Sequence, residues 1–264
     1  MVIDSHQHFI IPEELQNQKN EESGIDKAIL FSAIPHPERA NNLQEICSEM
    51  NVLNSILSGE NAQKKSISLM RDNIQSIQNR IEKYPQKYLG FAPVMLGMSL
   101  DETSAWIEDV VKKGFKGLGE FTPGNAEQVS LLETVFRAAD QFNKLPIWIH
   151  TFSPVTIDGL QILMGLCKKY PKVPTVFGHL GGINWIESIE FAKANNQVYL
   201  DLSGTFTSLA VKSAISELPN RCLFSSDAPY GEPFLQKRMV EFLSPSRVTA
   251  EMVLGGNISE LLQK

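Results

Sequence analysis

A (β/α)8 barrel of the TIM type, carrying a helical insertion after its second strand, is the fold this sequence predicts, and three observations predict it. The chain has 264 residues, about the usual size of such a barrel and long for a two-layer domain. Short apolar, β-rich runs alternate with longer amphipathic stretches, the pattern of repeated βα units around a parallel sheet. The strand-like runs number eight, the count that closes a barrel, so one domain over 1–264 is expected.

Strands are expected at 1–9, 27–33, 88–94, 115–121, 146–151, 175–179, 198–203 and 222–227. Helical patterns such as 100–113, 129–142, 156–170, 183–194 and 206–218 lie between them, with turn residues at the joins. The segment 249–262 reads as a closing helix over the barrel. The interval 34–87 breaks the spacing, because it holds two helical patterns joined by Ser58, Gly59, Glu60 and Asn61. An insertion after a strand leaves the C-terminal face of a barrel, where it could roof a site.

Composition narrows the classes of function. Hydrophobic residues make up 42% and charged residues 20%, ordinary globular usage that argues against disorder, a fibre or a membrane protein. No apolar run has the length to span a bilayer, and the N-terminus enters a strand-like run without a basic and then apolar leader, so a cytoplasmic location is expected. Cys47, Cys167 and Cys222 are far apart and lack CxxC spacing, which suggests neither a disulfide framework nor a thiolate metal knuckle. A net charge of −6, from 24 basic and 30 acidic residues without a basic block, gives no footprint for nucleic acid. A small-molecule substrate is the expected partner.

The first strand reads Asp4-Ser5-His6-Gln7-His8, and strand alternation turns His6 and His8 to one side. Neutral imidazole is the commonest protein ligand for zinc-like cations. Alone, such a pair also reads as polar residues on a half-buried strand. The other histidines change the weighing. His150 ends the fifth predicted strand, His179 the sixth, and Asp227 the eighth, so four of the five histidines stand at strand tips. Barrel enzymes build their sites there. These five side chains are therefore expected to meet around one or two divalent cations; their chemistry suits zinc first, with manganese or iron also acceptable. The sequence lacks a GxSxG elbow, a Walker-type phosphate loop and dinucleotide-fingerprint spacing.

On Asp4-Ser5-His6-Gln7-His8, His150, His179, Ser226-Asp227-Ala228-Pro229-Tyr230-Gly231 and the closing Gly255-Gly256-Asn257, the chain resembles the amidohydrolase superfamily over nearly its whole length, most nearly its small metal-dependent hydrolases and decarboxylases. That resemblance implies that His6, His8 and Asp227 bind metal. It implies that His150 and His179 either ligate a second ion or face the substrate, and that Asp227 takes a proton from water on the metal. It also implies that a homodimer is common among relatives. The proton role has a physical basis, since a divalent cation brings the pKa of water down to about 7. His179 could instead hydrogen-bond the substrate oxygen.

Glu120, in Lys116-Gly117-Leu118-Gly119-Glu120-Phe121, is open between two readings. It resembles the glutamate of TatD-type hydrolases, which would make it a bridging metal ligand and weigh against a decarboxylase; otherwise it is a solvated residue or one that stands behind the ligands. A regular strand with Glu120 inward would also bury Lys116, unless Gly117 and Gly119 permit a bulge. His36, in a turn after the second strand, could touch substrate. Asp4 shares parity with His6 and His8 and could orient an imidazole, or equally stand as a buried polar residue in a barrel layer. Trp185, Tyr230, Phe152 and Phe206 follow strand tips and could line an apolar pocket or pack under the loops. The leading expectation is hydrolysis of a small ester, lactone, amide or related bond by metal-activated water, with Asp227 as base. The alternatives are non-oxidative decarboxylation of a small acid on the same site and a non-catalytic metal-binding barrel.

Overall fold

Eight parallel strands pair in strict chain order, from the first to the eighth, in the computed structural model, which describes residues 1–32, 35–57, 66–142 and 145–263. The strands are β1 (Ile3–His8), β2 (Lys27–Phe31), β3 (Tyr88–Ala92), β4 (Gly117–Phe121), β5 (Ile147–His150), β6 (Thr175–Gly178), β7 (Val198–Asp201) and β8 (Cys222–Leu223). The expected ends of the second strand at Ala33 and of the insertion's join, Ser58 to Asn61, lie outside the described residues. The ring is completed by backbone bonds from β1 to the chain after β8: Ser5 N–H to Phe224 O at 2.9 Å, Asp227 N–H to His6 O at 2.8 Å and His8 N–H to Ala228 O at 2.8 Å.

The helices are α1 (Glu13–Ser23), α2 (Leu43–Leu57), α3 (Ser66–Lys83), α4 (Leu100–Lys112), α5 (Ala126–Ala139), α6 (Ile157–Lys169), α7 (Trp185–Ala194), α8 (Ser208–Glu217), α9 (Pro233–Leu243), α10 (Arg247–Glu251) and α11 (Asn257–Gln263). Their starts follow local chemistry. Ser99 and Glu102 form a reciprocal capping box on α4, and Asn125 and Thr207 cap α5 and α8. Among the described residues no helix is long and apolar enough to cross a membrane.

The interval after β2 divides unequally. Helix α3 packs on β3, burying Ile74 and Ile77, and so serves as the ordinary crossover of the barrel. Helix α2 is the additional element and exposes Leu43, Ile46 and Val52. The expected closing helix is broken into α10, a π turn at Met252–Gly256, and α11. Ile258 and Leu261 of α11 join Ile3, Tyr199 and Leu223 in the cluster that fills the barrel. Asn257 donates to the carbonyls of Pro219 and Cys222, both at 2.8 Å, which ties that helix to the start of β8.

Strand β8 is shorter than the expected 222–227. Past Leu223 the Phe224 N–H turns to the Val253 carbonyl at 3.0 Å, and Asp227 itself has φ of +58°, outside the extended region of a strand.

Candidate metal centre

The barrel's interior sets the floor of the site. Phe31, Phe91 and Trp148 meet with ring centroids 5.2 to 5.8 Å apart, and the His6 ring lies on Phe31 at 4.5 Å and against Trp148 at 5.5 Å. An apolar floor of this kind keeps water away from one side of the histidine and strengthens electrostatic interactions above it.

On that floor the structure brings together His6, His8, Glu120, His150, His179 and Asp227. His8 Nε2 and His6 Nε2 lie 3.1 and 3.7 Å from Asp227 Oδ1, and 3.9 and 3.7 Å from Glu120 Oε2. The other carboxylate oxygen, Glu120 Oε1, lies 3.3 Å from His150 Nδ1 and 3.2 Å from His179 Nε2. Two groups of three ligand-type residues result, His6 with His8 and Asp227, and Glu120 with His150 and His179. Glu120 faces both, one oxygen to each.

Glu120 reaches this position through a bulge in β4. Leu118 pairs with Ile147 and Phe121 with Ile149, so three steps on β4 oppose two on β5. Gly119 has φ of +128°, and a Cβ there would run into the Trp148 carbonyl. The bulge reverses parity, which is why Glu120 turns inward while Lys116 stays exposed.

Strand β1 carries a second register shift, between Asp4 and Gln7. Of the two readings of Asp4, the structure supports the buried polar residue and not the partner of an imidazole: among the described residues its carboxylate contacts no histidine ring. Its carboxylate accepts from Gln7 Nε2 at 2.7 Å and from the Ser226 N–H at 2.9 Å, joining β1 to the chain after β8. Full burial pushes its pKa up to about 6, against the lowering effect of those hydrogen bonds.

The partner of His6 is Asp201, absent from the expectations above although it ends β7. Asp201 Oδ2 accepts from His6 Nδ1 at 2.9 Å and from Trp148 Nε1 at 3.1 Å, and Oδ1 accepts from the Ser203 N–H at 2.6 Å. The other three imidazoles follow the same plan. His8 Nδ1 donates to Ser32 O at 2.7 Å, His150 Nε2 to Ser153 O at 3.0 Å, and His179 Nδ1 to Ser203 O at 3.3 Å. Each ring spends its N–H on an outer acceptor, so in the neutral form each turns a bare lone pair inward. Histidines that ligate metals are oriented in this way.

The inner atoms fit a cation by two further observations. His6 Nε2 and Glu120 Oε1 are buried and make no hydrogen bond of acceptable geometry among the described residues. Ligands about 2.0–2.2 Å from a common ion stand about 3.0–3.6 Å apart, and the spacings of 3.1 to 3.9 Å match or slightly exceed that. Charge agrees. Burial disfavours a protonated His6, but Glu120, Asp201 and Asp227 outweigh it and raise its pKa to about 9. The same opposition, dominated on the raising side by Glu120, brings His179 to about 10. Despite its burial, Glu120 is held well below the usual carboxylate range by His6, His150 and His179. Left without a cation, His6 and His179 would hold their protons at neutral pH.

The backbone at two of these tips is strained. His179 and Leu180, at φ of +59° and +56°, begin a left-handed run through Gly181 and Gly182. Thr151 Oγ1 accepts from the Gly181 N–H at 3.0 Å, tying that run to the tip of β5. Of the four aromatic candidates, Tyr230 belongs to the site, its ring edge-on to His8 at 5.6 Å. Trp185 packs on the outer core, Phe152 lies against Gly182, and Phe206 is 57% exposed. A groove of about 720 Å³ between α3 and α4, lined in part by Arg71, Met98 and Trp106, lies outside the barrel and holds none of these residues.

The comparisons with known proteins place this chain. The model of the family described as Amidohydrolase matches residues 3–263, and the chain belongs to that family. A search of the curated proteins returns no match. Among solved structures, a 2,6-dihydroxybenzoate decarboxylase complexed with 2,6-dihydroxybenzoate is similar with a TM-score of 0.72 and 17% identity, over 100% of this chain and 99% of the other. A dihydroxybenzoic acid decarboxylase from Polaromonas sp. JS666, with bound manganese and an inhibitor, is similar at 0.69 and 19%, over 99% and 96%. The 5-carboxyvanillate decarboxylase from Sphingomonas paucimobilis is similar at 0.70 and 13%, over 99% and 98%. Identities this low establish the barrel alone. All three of these neighbours are described as decarboxylases.

Proposed function

We propose that this chain is a metal-dependent enzyme acting on a small carbonyl substrate, in which His6, His8 and Asp227 would hold one divalent cation and Glu120, His150 and His179 a second. Of the two chemistries open to such a centre, the geometry supports hydrolysis. The observation that carries this reading is the Glu120 carboxylate, whose two oxygens face separate groups of ligand-type side chains.

A bound divalent cation supplies Lewis acidity, which lowers the pKa of water to about 7 and polarises the substrate's oxygen. The residues do the rest. Asp227, 14% exposed in its side chain, is reachable from the mouth and accepts the proton that the attacking water gives up. His179, with its Nδ1 hydrogen engaged by Ser203, offers Nε2 as a ligand and not as a donor to substrate while neutral. The aromatic floor excludes water from beneath the centre. Tyr230 walls the mouth beside His8.

Decarboxylation is the second reading, favoured by the names of the structural neighbours. Those relatives also bring manganese forward beside zinc, since one of them is described with it bound. Metal analysis of wild type and Glu120→Gln, under limiting and saturating zinc or manganese, tests the centre, with assays on esters, lactones and dihydroxybenzoates in parallel. About two metals per wild-type chain, falling to one in the variant, and ester or lactone cleavage are expected. One metal in both proteins with carbon dioxide released from the benzoate would replace hydrolysis by decarboxylation. No metal under any loading would refute both.

A further inference from the structure

Behind the strand that carries His6 and His8 runs a chain of buried polar side chains with no task in the mechanism above. Gln16, on α1, is fully buried and sends both hydrogens of its Nε2 to β1, one to the His8 carbonyl at 3.0 Å and one to Gln7 Oε1 at 3.1 Å. Its oxygen accepts from Arg80 Nη1, on α3, at 2.9 Å and from the Ile10 N–H at 3.3 Å. Gln7, equally buried, repeats the pattern: its Nε2 donates to Asp4 Oδ2 and to Asn20 Oδ1, both at 2.7 Å. Asp4 Oδ1 ends the chain on the Ser226 N–H at 2.9 Å, one residue before Asp227.

The two ends give this chain its direction. A guanidinium can only donate, so the Gln16 oxygen must face Arg80. Asp4, with N–H donors on both oxygens, acts as an acceptor, so the Gln7 NH2 must face Asp4. Turning the Gln16 amide over would set its NH2 against Arg80 and the Ile10 N–H, and its oxygen against the His8 carbonyl and Gln7 Oε1. Buried charges are tolerated where they are paired and hydrogen-bonded. Arg80 meets that condition: Nη2 donates to the Ile10 carbonyl at 3.3 Å, Nε stands 3.4 Å from Glu13 Oε2, and the Phe9 ring lies 4.4 Å from the guanidinium carbon. A helix, a crossover helix and both sides of the barrel's closure are thereby joined at the backbone of His8, at the residue between His6 and His8, and at the residue before Asp227.

We propose that Gln16, oriented by Arg80, is a positioning residue for the ion at His6, His8 and Asp227, acting through the His8 carbonyl and, by way of Gln7 and Asp4, through Ser226. The proposal rests on the metal-centre reading of the site and is independent of which reaction that centre performs.

Metal affinity tests it. Chelator competition for zinc, the absorption bands of the cobalt-loaded protein and the Tm of the metal-free protein are compared in wild type and variants. Gln16→Glu keeps the size of the side chain and the pairing with Arg80, but sets an oxygen against the His8 carbonyl and Gln7 Oε1. Gln16→Leu removes both donors without adding charge. Each should weaken zinc binding about 10–100-fold and alter the cobalt bands, which report ligand geometry. Arg80→Lys, which keeps a cationic donor, should retain more affinity than Arg80→Met. The control is Asn17→Ala, which removes the acceptor of the Tyr88 hydroxyl on the same helix and should lower Tm while leaving zinc affinity within twofold. Both Gln16 variants within twofold of wild type, or a loss in Asn17→Ala as large as theirs, would overturn the proposal and leave the metal centre standing. Wild-type protein that binds neither zinc, manganese nor cobalt would overturn both.

Discussion

Asp201→Asn is the substitution that probes the centre most deeply, because it keeps the shape of the side chain and removes only acceptor capacity. The Asp201 carboxylate accepts three hydrogen bonds, from His6 Nδ1, Trp148 Nε1 and the Ser203 N–H. An amide has one acceptor oxygen and two donors. If that oxygen stays on His6 and Trp148, the NH2 group confronts the Ser203 N–H. If it turns to Ser203, the NH2 group confronts His6 and drives the imidazole hydrogen to Nε2, the atom aimed at the cation. Either orientation leaves at least one buried donor unpaired, at a cost of about 1–3 kcal/mol. For a chain of this size that is a fall in Tm of roughly 2–10 °C. Loss of a histidine's outer partner costs about 10–100-fold in metal affinity. Calorimetric melting of the metal-free protein and chelator competition for zinc or manganese measure the two effects separately. A variant with unchanged Tm and affinity within twofold of wild type would refute the role given to Asp201.

Two further outcomes follow from the same geometry. The folded-state pKa values of about 9 for His6 and about 10 for His179 lie above the 6.5 of a free imidazole. Their contribution to the metal-free fold is therefore complete below about pH 6.5 and is lost as pH rises through 9 to 10. The Tm of the metal-free protein should fall across that window while the metal-loaded protein's stays level, and metal binding at pH 7 should release protons; a level metal-free profile would sink the assignment. Gly119→Ala should destabilise the protein by about 2–4 kcal/mol, from a positive φ and an overlap with the Trp148 carbonyl. Because the displaced strand carries Glu120, metal content should fall too, and unaltered stoichiometry in a folded variant would count against the bulge as its support.

The periodicity of the chain was sufficient for the barrel, since buried parallel strands and amphipathic crossovers leave repeating signals that do not depend on tertiary context. Helix α1 shows the limit. Its stretch Glu-Glu-Leu-Gln-Asn-Gln-Lys-Asn-Glu-Glu-Ser has almost no apolar stripe, and it buries Gln16 and Asn20 through side-chain hydrogen bonds to Gln7. The gap after β2 shows another, since α2 and α3 look alike as amphipathic patterns and only packing on β3 tells the crossover helix from the additional one.

His6, His8, His150, His179 and Asp227 were legible because a barrel gathers its strand tips on one face, so position along the chain implies convergence in space. Asp201 carried the same signal at the tip of β7, but a residue that grips the far side of an imidazole leaves no ligand spacing to notice. Glu120 and Asp4 were only partly legible: the sequence offered Glu120 as a ligand if Gly117 and Gly119 permitted a bulge, and Asp4 as a partner of an imidazole if its strand ran regularly. Alternation predicts where a side chain points only while the ladder is regular, and a bulge on β4 turned Glu120 inward while one on β1 turned Asp4 away from the imidazoles. Residue types and their order along the strands decided the barrel and four-fifths of its histidines. Which carboxylate stands between those histidines, and which stands behind them, was decided by register, a property of paired strands that one strand's sequence does not contain.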